Sequence, residues 1–351
     1  MEADRLSRTL LAWYDAEARR LPWRSPPGVY ADPYHVWLSE VMLQQTTVAA
    51  VIPYFRKFLD RWPTVLDLAA ADSEEVMAAW AGLGYYARAR NLLKCAQHVA
   101  SVLGGRFPDT EDGLRSLPGI GDYTAAAIAS IAFGRATVVV DGNVERVMAR
   151  LFAEQAPLPG VKPRLKQRAA QLAPQERCGD YSQALMDLGA TLCTPRNPAC
   201  GLCPWVRDCQ GRLQGIAADL PARTPKAEKP TRHGLAFWIA RWDGSILLRK
   251  RPPHGLLGGM LEVPSTPWRD SSEGGAWTLD EASKHAPLSC SWHPVRGTVR
   301  HTFTHFHLEM TVVTGIARGG EPPASRWVSP ESLGEQALPT IMRKIVRHAM
   351  L

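Results

Sequence analysis

No run in this chain approaches the length of a membrane-spanning helix, and its start, Met1-Glu-Ala-Asp-Arg5, lacks the basic patch and apolar core of a secretory signal. The first absence argues against a membrane protein and the second against an exported one, so a cytoplasmic protein is expected. Internal repeats and extended low-complexity tracts are missing too, which argues against a solenoid and against a disordered chain. The seven cysteines do not spread along the sequence as a secreted disulfide framework would. Four of them crowd between Cys193 and Cys209, and crowding of that kind points to a metal or a cluster.

What is present suits a folded chain of two domains. A length of 351 residues exceeds one typical domain, and a hydrophobic content of 45% supplies material for two cores. The balance of 41 basic against 34 acidic residues gives a net charge of +7, which suits a polyanionic partner without proving one.

The most informative stretch is Leu114-Arg-Ser-Leu-Pro-Gly-Ile-Gly-Asp-Tyr-Thr-Ala125. Pro118 stops one helix, Gly119 and Gly121 permit unusual φ values, and an Ala-rich helix follows. Leu117 to Gly121 then forms a tight turn whose bare amides can hold a phosphate oxygen. Upstream, a helix is expected from Tyr34 to about Ala50, with another starting at Pro53. Glu40 lies inside the apolar stripe of the first, and its helical neighbours Val36, Trp37, Leu43 and Gln44 include no base. A buried, unpaired carboxyl stays protonated and can deliver a proton at neutral pH. Downstream, Ala136 to Val140 delivers Asp141, which with Gly142 and Asn143 opens the next helix as its N-cap. Glu40 and Asp141 make a pair of carboxyls suited to proton donation and cation stabilisation.

Other stretches look outward. Gln44, Gln45, Thr46 and Thr47 form a polar cluster able to hydrogen-bond bases. Leu83 and Tyr85 stand on a Gly-flexed turn beside arginines, where either could wedge between base steps. Trp23 and Arg24 place an aromatic next to a cation, and Gln183 lies near the start of an amphipathic helix from Tyr181 to Leu192. The cysteine loop reads Cys193-x6-Cys200-x2-Cys203-x5-Cys209; with a single paired knuckle, it suits an iron-sulfur cluster better than zinc. From Arg212 to Arg232 a Pro-rich, charged stretch reads as an extended linker. Beyond it the periodicity turns to alternation, with strands expected at 235–241, 245–249 and 306–313, a hairpin at Asp243-Gly244 and a last helix from Thr340 to Met350.

Taken together, Trp37-Leu-Ser-Glu-Val-Met-Leu-Gln-Gln-Thr46, Leu117-Pro-Gly-Ile-Gly121, Val140-Asp-Gly-Asn143 and the four-cysteine loop resemble the MutY-type adenine DNA glycosylases across nearly the whole chain. The resemblance implies a mainly α-helical helix-hairpin-helix glycosylase domain over residues 1–211, with a [4Fe-4S] cluster in the 193–209 loop. A linker at 212–232 and an α+β MutT/Nudix-like domain that recognises 8-oxoguanine at 233–351 follow. It implies that Glu40 protonates N7 of adenine, that Asp141 stabilises the oxocarbenium-like sugar and that Asn143 assists Asp141. Trp23, Arg24 and Gln183 match the adenine pocket, while Gln45, Leu83 and Tyr85 match intercalating positions around a flipped base. Cys193, Cys200, Cys203 and Cys209 match the cluster ligands. The implied partner is double-stranded DNA with adenine opposite 8-oxoguanine or guanine, bound by a monomer away from any membrane.

Two departures refine this expectation. Endonuclease III-type relatives carry at position 123 a lysine that forms a Schiff base with the sugar; Tyr123 cannot, so a monofunctional glycosylase with weak or absent strand cleavage is expected. Gly255-Leu-Leu-Gly-Gly-Met-Leu-Glu-Val-Pro264 is similar to the start of a Nudix motif, but no Arg-Glu-x-x-Glu-Glu run follows. A binding module without pyrophosphatase activity is therefore expected, with Phe303, Thr304 and His305 matching the loop that touches 8-oxoguanine. The competing readings are a non-catalytic iron-sulfur DNA-binding regulator and an endonuclease III-like glycosylase/lyase.

Overall fold

The structure, a computed structural model, describes residues 2–225, 228–252, 255–336 and 338–351. Packing divides the chain into two units, Met1–Ala71 with Asn91–Pro225 and Asp72–Arg90 with Lys226–Leu351. No helix among the described residues is long and apolar enough to cross a membrane.

The first unit is helical. Its Glu2–Glu17 helix places Leu6, Leu10 and Tyr14 one turn apart, and this stripe buries against Val144, Val147, Leu165 and Leu185 from later helices and Trp205 from the cysteine loop. Asp32 caps the Pro33–Leu43 helix by accepting from the backbone N–H groups of Tyr34 at 2.7 Å and His35 at 3.3 Å, and Pro33 fits the first helical position. This helix stops at Leu43, short of the expected Ala50. Gln45 adopts a left-handed φ of 58°, and the Thr47 hydroxyl caps a new helix, Val48–Arg61, in which Pro53 is an interior residue and not the start.

The Glu111–Arg115 helix, the turn through Gly119 and the Asp122–Phe133 helix form the expected hairpin. The Gly142–Leu151, Lys162–Leu172 and Cys178–Thr191 helices complete the body of this unit. Part of the expected linker is folded onto it: Leu220 is buried, its carbonyl accepts from Arg150 Nε at 2.9 Å, and the Ala222 carbonyl accepts from the Leu158 N–H at 2.9 Å. Lys226 and Ala227 of that stretch lie outside the described residues.

The second unit is built on a mixed sheet of β1 (Thr231–Ala240), β2 (Ile246–Lys250), β3 (Leu261–Glu262), β4 (Arg269–Asp270), β5 (His293–Thr302), β6 (His307–Ile316) and β7 (Ser325–Val328). The main order is β3-β2-β1-β6-β5, with β1 and β6 parallel; β4 pairs with β1 and β7 with β2. Alternation along β1 feeds both faces. Ala236 and Trp238 join a core under the Thr340–Ala349 helix residues Ile341, Met342 and Ile345, while Leu235, Phe237 and Ile239 join a second core with Leu247 and Val313. Asp243-Gly244 turns β1 into β2 as expected, with Gly244 at φ 81° and the Ser245 N–H donating to Asp243 at 2.9 Å.

Candidate active site

Glu40, Tyr123 and Asp141 line one cavity of about 630 Å³ in the first unit, together with Arg19, Trp23, Arg24 and Gln183. Glu40 comes from the Pro33–Leu43 helix and is only 7% exposed. Burial, aided by the charge of Asp141, pushes its carboxyl from an ordinary 4.5 up to about 7; the Tyr123 hydroxyl, which donates to it, and the Arg24 guanidinium oppose that rise. Burial also drives the Tyr123 phenol well above its usual value, and the nearby charges of Glu40 and Asp141 push the same way, so Tyr123 is a donor and not a base.

Asp141 caps the Gly142–Leu151 helix, as the sequence suggests, through Oδ1, which accepts from the N–H of Asn143 at 2.9 Å and of Val144 at 2.7 Å. Its other oxygen accepts from Asn143 Nδ2 at 2.9 Å. Three donors and no acceptor are the partner set of a carboxylate. Asn143 is held in turn by Arg146, whose Nη2 donates to Asn143 Oδ1 at 2.8 Å and to the Gly189 carbonyl at 2.6 Å. Gly189 allows this approach, since a Cβ there would stand 2.6 Å from Asn143 Cβ.

Trp23 is buried and meets Phe55 edge-on at 5.3 Å, so it serves the core as well as the cavity wall. Gln183 is buried at the same wall. Gln45 is exposed and Thr46 half-buried at the rim. Leu117 is buried under the hairpin, Gly119 has φ 77°, and Gly121 opens the Asp122–Phe133 helix with no side-chain cap. That leaves the amides of its first turn without a side-chain partner from the cap position.

Sequence reasoning missed Asp187 and Arg19. Asp187, on the Cys178–Thr191 helix, is fully buried and pairs with Arg24 Nη1 at 2.7 Å and Arg19 Nε at 2.6 Å. The signal was available. Its helical neighbours Gln183, Ala184, Ala190 and Thr191 include no base, the same pattern that marks Glu40.

Cys193, Cys200, Cys203 and Cys209 line a second, smaller cavity with Leu192, Pro198 and Val206. Among the described residues no three His, Cys, Asp or Glu side chains close on a point where one ion would sit. Four thiols around one cavity are a donor set that suits an iron-sulfur cluster. Arg150, almost fully buried, donates from Nη1 to Cys193 Sγ at 3.3 Å and to the Thr194 carbonyl at 2.7 Å, which places a fixed positive charge beside the thiols. Cys95 and Cys178 are buried and Cys290 half-buried, away from this loop in sequence.

In the second unit Leu83 is buried, whereas Tyr85 is about half exposed at 49% with φ 47°. The Tyr85 hydroxyl lies 2.8 Å from Thr304 Oγ1, so the structure brings together two residues named for separate stretches. Thr304 and His305 are exposed at the β5–β6 hairpin, and Phe303 is anchored against Trp268, Phe306 and His301. Glu262, in the partial Nudix motif, is buried and ion-paired to both Arg249, at 2.6 Å, and Arg251. Both oxygens of this carboxylate are thus engaged by guanidiniums.

Comparison with known proteins gives a consistent result. Residues 38–169 match the HhH-GPD superfamily base excision DNA repair proteins, residues 193–209 the iron-sulfur binding domain of endonuclease III, and residues 235–348 the NUDIX domain. A protein of Homo sapiens described as adenine DNA glycosylase is 39% identical over 97% of this chain and 73% of its own length. One of Mycolicibacterium smegmatis, with the same description, is 45% identical over 80% of this chain and 88% of its own. Among solved structures, a thermostable thymine-DNA glycosylase superposes with a TM-score of 0.54 at 29% identity, over 60% of this chain and 97% of that one. The expected fold class, a helical helix-hairpin-helix unit followed by an α+β Nudix-like one, and the expected [4Fe-4S] cluster both stand.

Proposed function

This chain belongs to the adenine DNA glycosylase family, and on that premise we propose that it hydrolyses the N-glycosidic bond of adenine opposite 8-oxoguanine or guanine in duplex DNA, acting as a monomer. The observation that carries the mechanism is the contrast between two carboxyls in one cavity. Glu40 is buried and keeps its proton to about pH 7, whereas Asp141 is surrounded by donors. Glu40 donates its proton to the departing adenine at N7, with the Tyr123 hydroxyl fixing the carboxyl's orientation. As the base leaves, Asp141 faces the positive charge that grows on the sugar, and Asn143 holds Asp141 in place. The adenine enters the cavity by flipping out of the stack, and Trp23, Arg24 and Gln183 receive it.

Within the first unit, the uncapped turn at Gly119–Gly121 is suited to hold a phosphate, and Gln45 and Thr46 at the cavity rim to fill the space that the flipped base leaves; on the second unit the half-exposed Tyr85, and not the buried Leu83, is suited to enter a base stack. Thr304 and His305, anchored through Phe303, are suited to read the opposing 8-oxoguanine. Cys193, Cys200, Cys203 and Cys209 hold the cluster, which when bound supplies a structural tie for the loop. The location that suits this reading is inside the cell, on DNA.

Tyr123 sets the end point of the reaction. It has no amine to attack the sugar, so the product is an abasic site in an intact strand. A duplex with one adenine opposite 8-oxoguanine is expected to break at that position only after alkali, and borohydride during turnover is expected to trap no protein on DNA. Breakage before alkali, or efficient trapping, would point to a lyase.

A further inference from the structure

Three donors converge on Asp187. Oδ1 accepts from Arg19 Nε at 2.6 Å, while Oδ2 accepts from Arg24 Nη1 at 2.7 Å and from the Arg19 backbone N–H at 2.9 Å. Both oxygens are in use, and the carboxylate has no exposed surface. The two guanidiniums it holds stand at the wall of the cavity that contains Glu40.

We propose that Asp187 is the positioning residue of this cavity: it tethers Arg24 away from Glu40 and cancels one of the two guanidinium charges at the wall, so that Glu40 remains an acid. The inference rests on Glu40 serving as the proton donor, the reading given above.

The charges around the site make the case. Glu40 meets Tyr123 from the Asp122–Phe133 helix, Asp141 from the start of the Gly142–Leu151 helix and Arg24 from the loop after the Glu2–Glu17 helix. Of these, Arg24 is the cation, and it favours the ionised form that cannot donate. Arg24 in turn has Tyr14 beside it, and the same tyrosine senses Asp187, Asp180 and Arg19. Asp180 is engaged elsewhere, accepting from the Gly28 N–H at 2.9 Å and from Arg177 at 2.8 Å. Glu145, also on the cavity wall, is paired with Lys162 at 2.9 Å. Asp187 is therefore the carboxylate that holds Arg24. Arg24 already acts on Glu40 from its tethered position, and once released it is free to approach the carboxyls of the same cavity, Glu40 among them; an opposite charge within about 4–6 Å lowers a carboxyl pKa by about 1–3. Released Arg24 would thus turn Glu40 into a carboxylate at neutral pH.

A purely structural ion pair predicts something different. Its loss would lower stability and scale the rate equally at every pH, without moving the titration of Glu40.

The test compares wild type with Asp187→Asn, Arg24→Gln and the double variant, each with its cluster absorbance verified. Two readouts apply: the pH dependence of single-turnover adenine release, and the infrared carboxylic-acid band that is absent from Glu40→Gln. In Asp187→Asn the alkaline inflection of the rate and the midpoint of the band are expected to fall together by about one pH unit or more. Adding Arg24→Gln is expected to return both towards the wild-type position, whatever the rate. Arg24→Gln alone is expected to move them upward. Should Asp187→Asn fail to fold, Arg24→Gln alone decides: an upward move supports the assignment and an unmoved midpoint overturns it. An inflection unmoved in a folded Asp187→Asn also overturns it. Absence of adenine release by the wild type would defeat the proposed function, and the infrared midpoints would still decide the role of Asp187.

Discussion

Glu40→Gln is expected to release adenine about 10³-fold more slowly, or slower still, while binding the same duplex with unchanged affinity. Glutamine fills the space of the glutamate and keeps an oxygen for the Tyr123 hydroxyl, but it has no proton to give the leaving base. The pH dependence follows from the same group. Glu40 holds its proton up to about pH 7, so single-turnover release is expected to be full below that pH and to fall as pH rises through it.

Stability carries the same signature. A carboxyl whose folded-state value is raised from 4.5 to about 7 contributes stability that is fully present below 4.5 and lost as pH rises through 7. The difference corresponds to roughly 3 kcal/mol by pH 8. The glutamine variant, neutral throughout, is therefore expected to melt higher than wild type at pH 8 while remaining inactive. Stopped-time release assays and thermal melts on one preparation measure both. Full turnover by the variant would remove Glu40 from the mechanism.

Asp141→Asn separates two roles that share one side chain. As an N-cap, asparagine is nearly the equal of aspartate, so the Gly142–Leu151 helix and the melting temperature are expected to change little, by about 0.5 kcal/mol or less. As a partner for a developing cation, asparagine is neutral, and release is expected to fall by about 10²–10³-fold. A rate loss matched by a comparable loss of stability would mean that capping is the whole function of Asp141.

How much was legible in the sequence depended on whether a residue announces itself through its chain neighbours. Glu40 did, because a lone acid in an apolar helix needs no tertiary knowledge to look unusual. Asp141 did through the cap pattern, and the cysteines through spacing. The hairpin at Leu117–Gly121 was legible because proline and glycine limit the backbone directly. Arg146 and Arg19 were not, since each looks like any surface arginine until the fold brings up Gly189 and Asp187, 43 and 168 positions away. Strand β5 was also missed. Among the described residues it pairs with β6 alone, it is mostly exposed, and it carries Pro294, Gly297 and a register shift between Val295 and Val299 that breaks the alternation a strand is read from. The helix break at Gln45 was invisible for a related reason: a left-handed glutamine has no compositional warning.

The contact at Gly189 bears on inheritance as well as chemistry. Any other amino acid there would place an atom against Asn143, which steadies Asp141. A substitution on a neighbouring helix, with no reactive group of its own, would reach Asp141, the carboxylate proposed to face the sugar, through one displaced amide. Such an allele would be catalogued as a change in a packing residue, yet under the proposed function it would behave as a mutator lesion.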